Sequence, residues 1–242
     1  MTGNLFAMRS TVFAISFAFF AGAVWAEAQP AVVVHGALKN IMHEGDLSAK
    51  TDLMIFDATP HIYALGAVAD LKGEIIVVDS RPYVSSVQDD TLQVKNTLDA
   101  DAALLVYSQV KAWTSHPVPP ELTTYDGLEA LVPERAVEHG IDTAQAFAFM
   151  LTGMMKKVDW HVIDWPQGDT VHTHEKHKSS GLSGSIEDGE VTIVGFYSSK
   201  HHAIFTHHTT NMHMHVINHD HSVAGHVDDI KVSSKAKLWL PD

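Results

Sequence analysis

Short apolar segments bounded by turn-forming residues recur along the chain and predict mainly β-strands. In the first half, strand-like segments run from 61 to 69 (HIYALGAVA), from 74 to 79 (EIIVVD) and from 102 to 110 (AALLVYSQV). Residues 70–73 form a predicted turn between the first two, so we expect a β-hairpin there. Shorter extended pieces are predicted around 83–87 and 91–94.

The second half carries a further series of predicted strands. Residues 191–197 (VTIVGFY) give the clearest signal, and residues 158–163 are also extended. A short strand at 203–205 is followed by three more, predicted at 211–217, 222–230 and 235–240.

Helical signals are weaker than strand signals. Residues 37–42 suit a short helix, and apolar residues in 122–139 (Leu128, Leu131, Ala136 and Val137) follow helical spacing. Helical spacing extends over 143–155 as well, although 146–151 also suits a strand. A proline-rich break is expected at 116–120 and a polar loop at 166–190. Many short strands with little helix favour an α+β or mainly β fold.

The N-terminus has the pattern of a secretory signal peptide. A start that carries one positive charge, Arg9, is followed by an apolar run at 11–24 and by small residues at Ala26 and Ala28. The run is short for a membrane span, and an uncleaved anchor is the alternative. We therefore expect residues 1–28 to be removed and the mature protein, 29–242, to be exported to the periplasm or the medium of a bacterium.

Composition narrows the chemistry. The chain of 242 residues has a net charge of −13, which disfavours nucleic acid and anionic membranes as partners. It has no cysteine, so thiolate catalysis and cysteine-ligated zinc are excluded. It has 18 histidines, of which 13 lie between His161 and His226. Metal binding is the usual reason for such enrichment, and a polar or pH-sensitive surface is the alternative.

A predicted hairpin brings three of these histidines together. His213 and His215 alternate along a strand and therefore share one face, while Met212, Met214 and Val216 share the other. If the turn is centred on Asp220 and His221, His215 lies opposite His226 at a Cβ distance of about 5 Å. Three imidazoles can then bind one zinc ion and leave a coordination position open, which is typical of catalytic zinc.

Other polar residues leave alternatives open. His172, His174 and His177 suit either a solvated loop or an accessory metal site, and one histidine from each of the pairs His201–His202 and His207–His208 could line a pocket. His219 and His221 are expected to be exposed in the turn. Glu74 opens an apolar strand. If buried it needs a partner, a proton or a metal, but at the surface it needs none.

Several segments resemble blocks of the bacterial alpha-acetolactate decarboxylase family. They are spread over most of the mature chain: 43–47 (HEGDL), 65–68 (LGAV), 71–79 (LKGEIIVVD), 191–196 (VTIVGF), 211–215 (NMHMH) and 224–228 (AGHVD). The last two segments together are the most specific block, and the spacing between its last two histidines also matches.

The resemblance implies a fold, a metal and a reaction. The fold would be α+β with duplicated β-rich halves, about 29–120 and 121–242, built from mixed or antiparallel sheets with few short helices. Zn²⁺ would be bound by His213, His215 and His226, and the active-site glutamate would be Glu74. The reaction would be decarboxylation of 2-acetolactate, or a related 2-hydroxy-3-keto acid, to acetoin and CO2. In it zinc acts as a Lewis acid and Glu74 delivers the proton.

Two departures from the family pattern bear on substrate handling. Where the family has an arginine suited to gripping the substrate carboxylate, residues 155–161 place His161, which becomes a second candidate catalytic residue. Lys156 or Lys157 could supply the missing charge. The family also carries an acidic C-terminal tail with no counterpart after Asp242. The alternative function is therefore an exported zinc-binding relative with lost or altered activity. For either, we expect a small keto acid ligand, no nucleic acid, no membrane after signal cleavage, and a homodimer as one candidate assembly.

Overall fold

A computed structural model of the chain describes residues 1–2 and 28–242. The predicted signal peptide therefore lies almost entirely outside the described residues. Among the residues that are described, no helix has the length and apolar character needed to cross a membrane.

The first half of the chain forms a seven-stranded antiparallel sheet. Its strands run in the order β1-β7-β3-β4-β5-β6, with β2 also paired to β7. Their bounds are β1 Val32–His35, β2 Thr51–Asp52, β3 Ile62–Val68, β4 Glu74–Val78, β5 Arg81–Gln88, β6 Thr91–Lys95 and β7 Asp101–Gln109. The hairpin predicted from residues 61–79 is confirmed by the pairing of β3 with β4.

The second half forms a six-stranded antiparallel sheet that partly closes on itself. Its order is β10-β11-β12-β9-β13-β8, and β10 pairs with β9 as well. Their bounds are β8 Trp113–Pro117, β9 Phe147–Val162, β10 Leu182–Tyr197, β11 Met212–Asn218, β12 Ala224–Lys231 and β13 Lys237–Pro241. Strands β9, β10, β11 and β12 therefore form a closed ring.

Helices are few and short in the described part of the chain. They are α1 (Tyr125–His139), α2 (His174–Ser179), a π-helical turn at Asn40–Glu44 and 3₁₀ turns at Leu53–Phe56 and Ala69–Leu71. Helix α1 begins where the Thr124 side chain accepts a hydrogen bond from the Gly127 backbone N–H. It buries Leu128, Leu131, Val132 and Ala136, but Val137, predicted to share that apolar face, is 62% exposed.

Four local predictions are wrong. Residues 147–155 are strand rather than helix, which confirms the strand alternative for 146–151. The helical spacing misleads because both faces of β9 are buried: Phe147 and Phe149 face one core and Ala148 the other. The predicted loop 166–190 contains α2 and the first half of β10. The predicted break at 116–120 overlaps β8, an edge strand, where Pro117 costs no ladder hydrogen bond. Residues 203–205 form a turn.

The two sheets pack face to face. Val194 and Phe196 of β10 share a core with Tyr63, Leu65 and Ile76 of the first sheet. Strand β4 lies against β11 and β12 at this interface. The predicted fold class, α+β with β-rich halves and few short helices, is thus confirmed, with sheets that are antiparallel throughout.

Candidate metal centre and active site

The β11–β12 hairpin has the register that the sequence predicts. His215 pairs with His226 across the two strands. Met212, Met214 and Val216 alternate with the histidines and are buried in the core of the second half. The packing of these three apolar side chains therefore turns His213 and His215 towards the other face of β11.

The three imidazoles predicted as ligands form a compact group. Their ring centroids are 5.0 Å apart for His213–His215, 5.1 Å for His213–His226 and 5.5 Å for His215–His226. Rings bound to one tetrahedral zinc through nitrogens at about 2.0–2.1 Å have centroids roughly 5 Å apart. The ring centroids therefore have the spacing that a shared ion requires, although the ligand nitrogens of the three rings do not all lie within 4.8 Å of one another in this structure.

His215 is oriented by the first sheet. Its Nδ1–H donates to the Ile75 carbonyl oxygen at 2.8 Å. This fixes the tautomer and leaves Nε2 with a free lone pair, as in most metal-binding histidines. Nε2 is buried without a hydrogen-bond partner, and so are Nδ1 of His213 and Nδ1 of His226. Buried nitrogens without partners are costly, so these atoms fit metal ligation.

The electrostatics of the group also suit a cation. Burial, reinforced by the neighbouring imidazoles, holds the pKa values of His213 and His215 well below the usual range. Burial likewise lowers the pKa of His226 to about 4, although Asp228 opposes this effect. All three side chains are therefore neutral at pH 7, the form that binds metal.

Glu74 reaches this group from the first sheet. Its side chain opens β4 and is buried, and its Oε2 lies 3.6 Å from His215 Nε2. The residue before Glu74 is Gly73, and a Cβ atom on it would lie 1.8 Å from the Ser85 carbonyl oxygen. Only glycine therefore lets β4 begin this close to β5. Burial raises the pKa of Glu74 well above its ordinary value, and the Ile163 N–H opposes this only in part. The sequence alternative of a surface position is excluded.

His161 lies beside the three predicted ligands. It pairs with His226 across β9 and β12, is buried, and its Nδ1 donates to Asp228 Oδ1 at 2.9 Å. Burial alone would raise the pKa of Asp228, but its hydrogen bond with His161 and the nearby His226 imidazole, 3.6 Å away, lower it far below its ordinary value. Lys178 Nζ lies 3.2 Å from Asp228 Oδ2.

Sequence reasoning assigned no role to Asp228 or Lys178. The pairing of β12 with β9 shifts register between Val227 and Asp229, so Asp228 occupies a bulge that redirects its side chain. Lys178 lies on α2, within a predicted loop. The spacing of Asp228, two residues after His226, is the one sequence signal that could have pointed to it.

One cavity of about 570 Å³ between the two halves is lined by Glu74, His161, Lys178, His213, His226 and Asp228, but not by His215. His174 and His177 of α2 line the cavity, and so do His207 and His208 of the loop between β10 and β11. His201 and His202 of the same loop do not. His172 and His177 lie 2.8 Å apart between ring nitrogens and pack against Trp165, so this segment is not a solvated loop. The turn residues His219 and His221 are exposed, as predicted.

The cavity has lysines but no arginine in the described part of the chain. Lys39 and Lys178 line it. Arg81 instead stacks on Tyr83, and Arg135 pairs with Glu138 on α1. Lys156 and Lys157 do not line the cavity. Of the two, Lys178 contacts Asp228, which lies two residues after the predicted ligand His226.

Comparison with known proteins supports the resemblance seen in the sequence. The fold is similar to solved structures of acetolactate decarboxylase from Bacillus subtilis strain 168 (15% identity, TM-score 0.69, 87% of this chain and 84% of that chain) and from Bacillus subtilis subspecies spizizenii (15%, 0.71, 88% and 86%). It is also similar to a Staphylococcus aureus protein of unknown function that resembles alpha-acetolactate decarboxylase (16%, 0.70, 88% and 85%).

No curated protein sequence gives a significant match. The sequence model of the alpha-acetolactate decarboxylase family matches residues 63–240, which include Glu74, His161 and all three predicted zinc ligands. This chain therefore belongs to the alpha-acetolactate decarboxylase family.

Proposed function

We propose that the protein is a zinc-dependent carboxy-lyase that converts 2-acetolactate, or a related 2-hydroxy-3-keto acid, to acetoin or its analogue and CO2. One observation carries the proposal: the buried carboxyl of Glu74 lies beside three clustered imidazoles, with Oε2 3.6 Å from His215 Nε2. Family membership supports the reaction class.

The residues fit a resident zinc ion. His213, His215 and His226 would hold it, since each has a buried ring nitrogen without a partner and all three are neutral at pH 7. When bound, zinc supplies Lewis acidity that favours negative charge on the substrate's ketone and hydroxyl oxygens.

The chain's own residues would manage the proton. The bond to the carboxylate carbon breaks, CO2 leaves, and the electron pair stays on the former α-carbon, delocalised onto the neighbouring ketone oxygen. Burial raises the pKa of Glu74 and so favours its neutral, proton-carrying form. It would deliver this proton to that carbon and recover one from the cavity, which completes acetoin.

Recognition of the substrate carboxylate falls to the cavity's cations. Lys178 Nζ contacts Asp228 with an ammonium group that has further donors to offer. His161 presents its ring at the same wall, held by Asp228 at 2.9 Å. We assign the carboxylate to this wall, because the buried apolar residues Leu71 and Leu104 lie elsewhere in the lining.

The proposal is tested by acetoin release from racemic acetolactate with zinc-loaded protein. Glu74→Gln keeps the shape of the side chain and removes its acidity. We expect it to lower turnover by about 10²- to 10⁴-fold and to leave zinc stoichiometry unchanged. The matched control is Glu175→Gln, an exposed carboxylate on α2 that should have wild-type activity.

A second function is favoured by one observation: the cavity has no arginine in the described residues, and Lys178 is already paired with Asp228. The chain would then be a zinc-binding relative with lost or altered activity. Tight binding of zinc by wild-type protein without any acetoin formation would support this function and contradict the decarboxylase.

We also propose that the protein acts outside the cytoplasm. The proposal rests on the residue pattern of 1–28. Mass spectrometry of the protein recovered from its native host should show an N-terminus at Glu27 or Gln29. An intact Met1 would contradict export by cleavage.

A further inference from the structure

We propose that His161, His226 and Asp228 form a second position for a divalent cation. It is an alternative to the predicted zinc position, because both use His226 Nδ1 and one lone pair binds one ion at a time. The inference goes beyond the proposed function, since that reaction requires only the ion at His213, His215 and His226. It assigns a metal-binding role to two residues, His161 and Asp228.

The geometry of the three side chains is the first support. Among the residues that the structure describes, they are the one group of three or more candidate ligands whose donor atoms all lie within 4.8 Å of one another. Asp228 Oδ1 is 2.9 Å from His161 Nδ1 and 3.6 Å from His226 Nδ1. Donor atoms around tetrahedral zinc lie roughly 3.3 Å apart, so the two separations bracket the required value.

The surroundings of the three donors are the second support. The side chains of His161 and Asp228 are 8% and 5% exposed. His226 Nδ1 is buried and has no hydrogen-bond partner, which is costly unless a ligand satisfies it. In a neutral His161 the proton can move from Nδ1 to Nε2, which frees Nδ1 for an ion without net loss of a proton.

The backbone fixes these donors before any ion binds. His161 and His226 are paired residues of β9 and β12, and Asp228 occupies the adjacent bulge. Lys178 holds Asp228 by Oδ2 and leaves Oδ1 directed at the two imidazoles. This resembles the outer hydrogen bonds that orient metal-binding carboxylates. Two nitrogens and one carboxylate oxygen suit Zn²⁺ or Co²⁺.

The second position also differs from the predicted zinc site in which half of the chain supplies and orients its donor atoms. All its donors come from the second half of the chain, whereas His215 is oriented by Ile75 of the first sheet. The arginine of the family pattern would place a cation here. His161 instead gives this wall a metal ligand. The replacement of arginine by histidine would therefore exchange a fixed positive charge for a metal-binding group.

The test is titration of full-length protein with Zn²⁺, followed by ¹⁵N NMR of the histidine side chains and by metal analysis. If the proposal holds, Zn²⁺ shifts the His161 Nδ1 resonance, which is assigned with His161→Gln. The double variant His213→Asn/His215→Asn should still bind one ion per chain. Adding Asp228→Asn should weaken that binding by on the order of 100-fold. His219→Ala, in the exposed turn, is the control for binding to surface histidines.

A His161 Nδ1 that stays protonated at saturating Zn²⁺ would overturn the proposal. Zinc binding by His213→Asn/His215→Asn that is unchanged when His161→Gln or Asp228→Asn is added would overturn it too. The NMR measurement uses wild-type protein, so it decides the question even if the double variant does not fold. Acetoin formation is not a readout, so failure of the proposed reaction leaves the result unaffected.

Discussion

Two carboxyl groups in one cavity have opposite protonation behaviour. Burial dominates at Glu74, whose pKa rises because one backbone N–H is too little compensation. At Asp228 burial acts in the same direction, but His161 and His226 outweigh it and hold the pKa low. The surroundings therefore favour the neutral form of Glu74 and the charged form of Asp228. Such pairs are typical of acid–base sites.

Lys178 is the residue whose replacement should separate substrate binding from chemistry. Lys178→Met keeps most of the apolar stem and removes the charge at the wall where we place the substrate carboxylate. We expect KM for acetolactate to rise roughly tenfold, because a charge-assisted hydrogen bond is lost, with a smaller change in kcat. Lys156→Met, exposed on β9, is the control, and an equal rise in its KM would contradict this assignment.

Gly225 controls how closely β12 approaches β9. A Cβ at this position would lie 2.6 Å from the His161 carbonyl oxygen, which is backbone and cannot move aside alone. We expect Gly225→Ala to lower the free energy of unfolding by about 1–3 kcal/mol and to weaken zinc binding by displacing His226. Urea denaturation and calorimetric zinc titration measure the two effects, and unchanged values of both would refute the argument.

At the scale of elements, the sequence predicts what depends on local alternation. The hairpin of β11 and β12 could be placed in register because histidines and methionines alternate on opposite faces. Strand β9 could not be predicted in this way, because both its faces are buried and its apolar residues follow a spacing that also suits a helix. The bulge at Asp228 depends on the pairing of β12 with β9, which are 62 or more residues apart in sequence. Contacts of this kind leave no local signal.

Helix α2 should make the protein sensitive to acid through His177. Burial lowers the pKa of His177 to about 4, aided by neighbouring histidines. The unfolded chain, with an ordinary histidine pKa of about 6.5, takes up protons first as pH falls. His177 therefore leaves the free energy of unfolding unchanged above about pH 6.5. As pH falls towards 4 it lowers this free energy by up to about 2 kcal/mol, after allowance for its partial exposure.

Thermal unfolding between pH 7.5 and 4.5 measures this effect. The melting temperature should fall with pH in the wild type and fall less steeply in His177→Gln. His219→Ala, an exposed histidine with no such burial, should follow the wild-type curve. A variant His177→Gln with the wild-type slope would show that other groups cause the acid sensitivity.

At the scale of the molecule, the closed ring of β9–β12 and the packed cores should hold the fold without help from a metal. A bound ion would still add stability by mass action, about 2.7 kcal/mol at a concentration one hundred times Kd. We expect chelation to lower the melting temperature by roughly 5–10 °C while the far-ultraviolet circular dichroism stays unchanged. Loss of the secondary structure on chelation would show that the metal is part of the core.

The position of Glu74 between the two halves has a consequence for how the protein is made. During synthesis Glu74 emerges from the ribosome long before the strands β11 and β12 that cover it, which begin at Met212. Until then the first sheet must display a carboxyl and an apolar face to solvent, or to a chaperone. The cavity beside Glu74 is thus among the last parts of the fold to assemble, and an ion bound there cannot seed folding. Truncated chains that end before β11 should therefore be the species most prone to aggregate in the cell.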